Sequence, residues 1–485
     1  MRYSLPCSVN PHPPISCPAP LSEFGPSTIA ALSSPSWRPV YRARCVAGAT
    51  RSGPRRSRVS ITFRTSITSR ILWRPMADKI SVDDAFSRIA DHVTLLPTEE
   101  IAVDALALGR VIVRPVLAAA DTPRCDCSAM DGFALRSADT RDASLDRPVR
   151  LKLGPHLGAE AASLRLPPRL ALPISTGAPI PAGADTVLTK ERTKIEEDML
   201  IFFEPAAAGK NIRSRGEDAP RGRTILKAGT PLTPDAIGAL LACGVRRLTA
   251  RRMPQINILP TGSELARPDT SADAMRYDSN GPMIGAICRA LGLDAKMSPP
   301  IPDSTDQIAN HIAAGAYSGR NEIVVTTGGV SVGSRDLVRE AAESLGARVL
   351  FHGIAMRPGK PLLFAMLPDG RPLFGLPGNP VAALVGFRFF VWAAICRSMN
   401  LPIEAGRAVK SPILGRPGTS LFLRARYDDP FDGGIDVELD QRSHILSSVL
   451  PATGWLRVEQ SKDGTEAWLF PKLPSWPVSH PDHLG

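Results

Sequence analysis

Residues 322–346 read EIVVTTGGVSVGSRDLVREAAESLG, and the reading of this stretch decides the fold. Ile323-Val324-Val325 is a short apolar, β-branched run of the kind that forms a buried strand. The loop Thr327-Gly328-Gly329-Val330-Ser331-Val332-Gly333-Ser334 follows, and its glycines permit positive φ and close approach of a ligand to the backbone. A helical pattern (Leu337, Val338, Ala341, Leu345) opens near Asp336 and stops at Gly346, a residue suited to the position just past a helix. Strand, Gly/Ser loop and helix N-terminus in that order aim free N–H groups and a positive dipole end at one point, which suits a phosphate. The same stretch can also be a tight turn with no ligand, so its neighbours must decide.

Outward from this stretch, strands and helices alternate. A strand at 256–259 ends in Pro260-Thr261-Gly262-Ser263-Glu264. Helices are expected at 281–293, capped by the residues around Asp278, and at 303–314. A strand at 349–354 leads into Ala355-Met356-Arg357-Pro358-Gly359-Lys360-Pro361, and 362–366 stays extended. Pro372–Leu376 ends in Pro377-Gly378-Asn379-Pro380, and a long apolar helix runs on to about Met399. This alternation implies a parallel, doubly wound sheet. Ligands bind such sheets outside the carboxyl ends of the strands. Loops bearing Glu264, Ser331 with Asp336, Arg357 with Lys360, and Asn379 then gather at one edge, which favours the phosphate reading.

Towards the N-terminus, 80–93 reads as an amphipathic helix with Ser81 as N-cap. Short strands between Pro/Gly turns make 118–222 a β-rich domain. Within it, Cys125–Ala134 sets Asp131 before a glycine, either as an Asx-turn or as a carboxylate held against a ligand or metal. Asn211-Ile212-Arg213-Ser214-Arg215-Gly216-Glu217-Asp218 crowds two guanidinium groups and two carboxylates into a few residues. Such a cluster is either a solvated turn or a cleft wall whose Arg forks match phosphate. After Pro402 short strands return, and Ser443-His444 is the candidate site there. Adjacent residues on an extended chain point to opposite faces, so that pair is weak evidence for a nucleophile. The expected layout is a leader at 1–75, an N-terminal helix at 76–98 on the α/β domain and a small mixed domain at 99–117 plus 223–253. A β-rich domain at 118–222, an α/β domain at 254–401 and a C-terminal β domain at 402–475 complete it.

The chain has 485 residues, 43% hydrophobic and 22% charged, which is the composition of a globular protein of several domains. Its formal charge of +11 is concentrated in residues 1–75, where eleven arginines face a single acid, Glu23. The nearly neutral remainder offers no nucleic-acid face. The Ser/Pro/Arg-rich leader reads either as a transit peptide or as sequence upstream of a true start at Met76. Its lack of amphipathic periodicity favours the second, and it is expected to be disordered either way. The cysteines beyond it are scattered and odd in number, which points to reduced thiols and a cytoplasmic protein. The apolar run 381–396, broken by Arg388, falls short of the ~20 residues needed to span a bilayer, so no membrane segment is expected.

Taken in order, SAMDGFA (128–134), STGAPIP (175–181), NIRSRGED (211–218), PTGSEL (260–265), TTGGVSVG (326–333), RPGKP (357–361), GLPGNP (375–380) and SHILSS (443–448) resemble the molybdopterin molybdotransferase family. These are the MoeA-type proteins and the terminal domain of gephyrin-like proteins. The resemblance implies an elongated, multidomain α/β plus β fold. It would comprise a doubly wound, MogA-like molybdopterin-binding domain, β-rich domains and a small C-terminal β-barrel-like domain, assembled as a homodimer. It implies insertion of molybdate into adenylylated molybdopterin with release of AMP, assisted by Mg²⁺. Transient contact with the molybdopterin adenylyltransferase and with acceptor molybdoenzymes is also implied. Carried over by position, Asp131, Asp218, Glu264 and Asp336 are the catalytic carboxylates, the first three also holding the metal. Thr176, Arg213, Asp303, Ser331, Gly333, Arg357, Lys360, Asn379 and Ser443 are the substrate contacts. Cations suit a crowded phosphoanhydride, and Arg, Lys and helix N–H groups suit a tetrahedral dianion such as molybdate. The chain departs from the family at Arg357, where lysine is frequent, at Ser263, and at Ser334-Arg335, where acids are common. A related phosphoanhydride hydrolase and a non-enzymatic scaffold are the competing readings.

Overall fold

The computed structural model describes residues 79–156, 165–265, 276–314, 322–330, 336–427, 434–438 and 440–476. The leader at 1–75 and the expectations for Ser331 and Gly333 lie outside these residues.

The organising sheet has six strands in the order Asp294–Met297, Gln255–Pro260, Glu322–Thr327, Pro372–Leu376, Leu363–Met366, Arg348–His352. The first four are mutually parallel, but Leu363–Met366 runs antiparallel to both of its neighbours. The expectation of a wholly parallel sheet is therefore corrected to a mixed one. The cause is Leu367-Pro368-Asp369-Gly370-Arg371: Gly370 has φ +89°, and the Leu367 amide donates to the Arg371 carbonyl at 2.9 Å. So short a turn can close a hairpin but cannot make a crossover.

Helices cover both faces, as the alternation of side chains demands. Ile256, Ile258, Ile323 and Val325 point into one core with the Asn280–Ala290 helix. Leu259 and Val324 point into the other with Thr305–Ala314 and Leu337–Ser344. The first core also takes the Val82–His92 helix, which starts in a capping box between Ser81 and Asp84. That helix lies on the helical run Pro380–Ser398, with Phe86 stacked on Phe390 at 5.1 Å. The run ends within a residue of the expected Met399. Its 19 residues are apolar enough to cross a bilayer by length and composition, yet it is 94% buried inside the protein.

The β-rich region holds a six-stranded sheet running from Thr186–Thr189 to Thr193–Glu196. A smaller layer pairs Thr98–Ala102 with Arg247–Arg251 around the Pro234–Ala242 helix. The C-terminal sheet is built on Ser420–Arg426, Gly454–Ser461 and Gly464–Pro471. It takes one strand from the α/β region: Met356–Arg357 pairs in parallel with Ser420–Arg426. Cys125, Cys127, Cys243, Cys288 and Cys396 are all free.

Candidate active site

Two groups of motif residues form, in different parts of the chain. The first lies in the β-rich region, where three motifs are tied into one corner. Ile212–Arg213 pairs antiparallel with Cys127–Ser128, and the Ser128 amide donates to the Ala178 carbonyl at 2.9 Å. This tie lets the exposed Asp131 carboxylate accept from the Thr176 amide at 2.7 Å and from its hydroxyl at 2.9 Å. Those two bonds hold Asp131 below the usual carboxylate range. Arg213 pairs with Glu217, one of the two carboxylates of its own cluster, at 3.0 Å. Asp218 is exposed, and its carbonyl accepts from Arg223 at 2.8 Å.

The second group occupies the carboxyl edge of the mixed sheet. The loop after Gln255–Pro260 is fixed by its neighbours: the Thr261 amide donates to the Thr327 carbonyl at 2.9 Å and the Gly262 amide to the Ile301 carbonyl at 3.0 Å. Ser263 and Asp303 clamp each other, the Asp303 amide donating to Ser263 Oγ at 2.9 Å and the Ser263 amide to Asp303 Oδ2 at 3.2 Å. Glu264 follows, exposed beside them. Gly328, at φ +98°, lies against Thr261, where any Cβ would strike the Thr261 carbonyl. Asn280 Nδ2 reaches across to the Gly378 carbonyl at 2.9 Å, tying in the loop that carries Asn379.

Beyond Asn379 the edge opens into a cavity of about 420 Å³. Arg357, Lys360, Asn379 and Ser443 all line it, so four of the expected contacts from three motifs meet there. Asn379 Nδ2 donates to Ser443 Oγ at 3.1 Å, and the Val381 amide donates to the Ser443 carbonyl at 3.0 Å. Gln441 locks the approach to Ser443 by exchanging hydrogen bonds with the Arg424 backbone at 3.1 Å in both directions. Two further cations face the cavity, Lys79 and Arg416. No described carboxylate lines it.

Lys79, Arg416 and Gln441 were not found in the sequence. Arg416 had a signal: Arg416-Pro417-Gly418 repeats the Arg357-Pro358-Gly359 turn. Lys79 had none, since it reaches the cavity only because Ile80 bridges to Ile354.

Asp336 differs from expectation. It is 7% exposed and caps the Leu337–Ser344 helix through the Arg339 amide at 3.2 Å. Its Oδ2 lies 3.0 Å from His352 Nε2, although the two are not aligned as a hydrogen bond. Burial pushes Asp336 up to about 6 and moves His352 down. Its carboxylate faces the interior, not the cavity. The metal expectation also changes. Among the described residues no three His, Cys, Asp or Glu side chains converge, so Asp131, Asp218 and Glu264 do not meet as one three-carboxylate cluster within the chain.

Residues 80–244 match the MoeA N-terminal region (domain I and II), and residues 257–396 match the family described as "Probable molybdopterin binding domain". A protein of Synechococcus elongatus named molybdopterin molybdenumtransferase is 34% identical over 79% of this chain and 96% of its own length. One of the same name from Staphylococcus aureus is 36% identical over 65% of this chain and 75% of its own. The structure of the molybdopterin biosynthesis moeA protein from Pyrococcus horikoshii OT3 shares the fold, with a TM-score of 0.62 at 24% identity over 80% of this chain and 100% of that one. The motif loops, the fold that gathers them and these likenesses agree, and the chain belongs to the MoeA family, the molybdopterin molybdenumtransferases.

Proposed function

We propose that this chain inserts molybdate into adenylylated molybdopterin, releasing AMP and leaving molybdenum on the dithiolene. One observation carries the reading: a cavity at the carboxyl edge of the sheet lined by Lys79, Arg357, Lys360 and Arg416, with no described carboxylate among them. Cations crowded together without acids repel one another unless an anion joins them. Both molybdate and the phosphoanhydride of the nucleotide-linked pterin answer that need.

Arg357 and Arg416 offer planar forks for anionic oxygens, and Lys360 offers a point charge. Asn379 and Ser443 add neutral donors at fixed positions, since each already holds the other. As the bond to the departing AMP breaks, negative charge grows on the phosphate oxygens, and preorganised cations stabilise it. Asp131, kept ionised by Thr176, serves as the carboxylate that orients or accepts a proton from the attacking group. The acids do not converge within one chain, so no step is assigned to Mg²⁺.

A homodimer that brings the Asp131 corner of one subunit to the cation cavity of the other reconciles the two separate groups. Transient contact with the molybdopterin adenylyltransferase and with acceptor molybdoenzymes, in the cytoplasm, fits an enzyme that handles a reactive intermediate. The decisive experiment incubates the protein with adenylylated molybdopterin, molybdate and Mg²⁺ and measures AMP. Release that depends on molybdate supports the transferase. Release independent of molybdate indicates a plain hydrolase, and no release indicates a scaffold.

A further inference from the structure

We propose that Lys79 is an anion-contacting, specificity-determining residue of the cavity, acting with Lys360 as a two-ammonium clamp for a tetrahedral dianion. This rests on the reading of the cavity as the oxyanion site. Residue 79 lies outside both matched family segments, and the RPGKP motif supplies Lys360 alone.

The backbone is fixed immediately after Lys79. Ile80 bridges in parallel to Ile354, and the Ala355 amide donates to the Ile80 carbonyl at 2.8 Å. Ser81 then opens the capping box of the following helix. Just before these anchors the Lys79 stem runs over Gly353, its Cγ 3.9 Å from where a Cβ on that glycine would stand. Its side chain lines the same cavity as Lys360.

Two ammonium groups facing one cavity are unfavourable without a counter-charge. The other charged groups facing Lys360 are Arg357 from its own loop and Arg416 from the loop before Ser420–Arg426. Asn379, Gln441 and Ser443 are neutral, so nothing described there offsets the pair. Lys79 accordingly holds Lys360 below the usual lysine range. A dianion satisfies both ammonium groups and draws a proton onto the pair, whereas a monoanion satisfies only one.

The test is calorimetric titration of the full chain with molybdate, with sulfate as a second tetrahedral dianion and with perchlorate as a monoanion, from about pH 7 to about pH 10. Lys79→Met should weaken both dianions by about tenfold near neutrality, the order of one charge-assisted contact, and leave perchlorate nearly unchanged. The pH at which dianion affinity falls should move upward in this variant, because Lys360 regains its ordinary value. Lys79→Arg should restore affinity, and matching melting curves would show that the fold is kept. Unchanged dianion affinity and pH midpoint in Lys79→Met overturn the proposal, as does a wild-type protein that binds neither dianion. Lys79-dependent sulfate binding without molybdate-dependent AMP release would keep the clamp and remove the transferase reading instead.

Discussion

The Asp131 carboxylate takes two hydrogen bonds from a single residue, the Thr176 amide at 2.7 Å and the Thr176 hydroxyl at 2.9 Å. Both favour the ionised form. Asp131→Asn removes the charge at an exposed position, so the fold should persist while molybdate-dependent AMP release drops by at least about 100-fold. Thr176→Val removes only the hydroxyl bond. It should let the Asp131 carboxyl climb towards its ordinary value and shift the acid limb of the pH–rate profile upward. A wild-type rate for Asp131→Asn would take this carboxylate out of the chemistry.

Gly328 tests the sheet edge. At φ +98° an alanine is strained, and its methyl would strike the Thr261 carbonyl, which belongs to the neighbouring loop. Gly328→Ala should cost about 1–3 kcal/mol in denaturant unfolding. Ligand affinity should fall further than stability, because the displaced backbone is the edge that carries the site. Equal losses in the two measurements would make this glycine structural only.

How far these features were legible depends on whether their cause is local. The strand, loop and helix around Thr327 are set by apolar runs and glycines, and the structure places the strand at Glu322–Thr327. The union of Asn379 with Ser443 was visible only as two motifs; their hydrogen bond joins residues 64 positions apart. The reversal of Leu363–Met366 had a local signal in Pro368-Asp369-Gly370, but steady strand–helix alternation argued more strongly for parallel strands. Lys79 and the strand exchange at Met356–Arg357 had no local signal. Both arise where segments distant in sequence pair by backbone hydrogen bonds. Asp336 was legible as a helix start, yet its inward turn towards His352 depends on tertiary burial.

That burial gives Asp336 a stability signature with a definite sign. Its folded value, about 6, lies above the ordinary 3.8, so between these values the folded chain binds more protons than the unfolded one. Stability from this group is therefore lost as pH rises from about 4 to about 6, by up to about 3 kcal/mol. His352 acts in the opposite sense, since a lowered value costs stability as pH falls. Asp336→Asn removes the carboxyl penalty and keeps a good helix cap, so at pH above about 7 it should melt at or above the wild-type temperature. Below about pH 4 that advantage should vanish. Asp336→Ala loses the cap and should be less stable than Asp336→Asn by about 1 kcal/mol. A drop in stability for Asp336→Asn at neutral pH would mean that the ionised carboxylate is satisfied after all.

The cation cavity draws none of its lining residues from the region holding Asp131 and Thr176. If a homodimer unites them, each site takes its acid from one chain and its cations from the other. Asp131→Asn and Lys360→Ala homodimers should then both be inactive, since every site in each lacks one half. In a heterodimer of the two variants one site carries both lesions and the other carries none. Random reassociation of an equal mixture makes half the dimers heterodimers with a single intact site, so AMP release should recover to about a quarter of wild type. If both halves act within one chain, every subunit in the mixture keeps its lesion and nothing recovers. Co-expression with two affinity tags, isolation of the doubly tagged dimer and light scattering to verify its mass would make the comparison direct. A monomer by scattering, or a doubly tagged dimer without activity, would place the acid corner and the cavity of each working site in the same subunit.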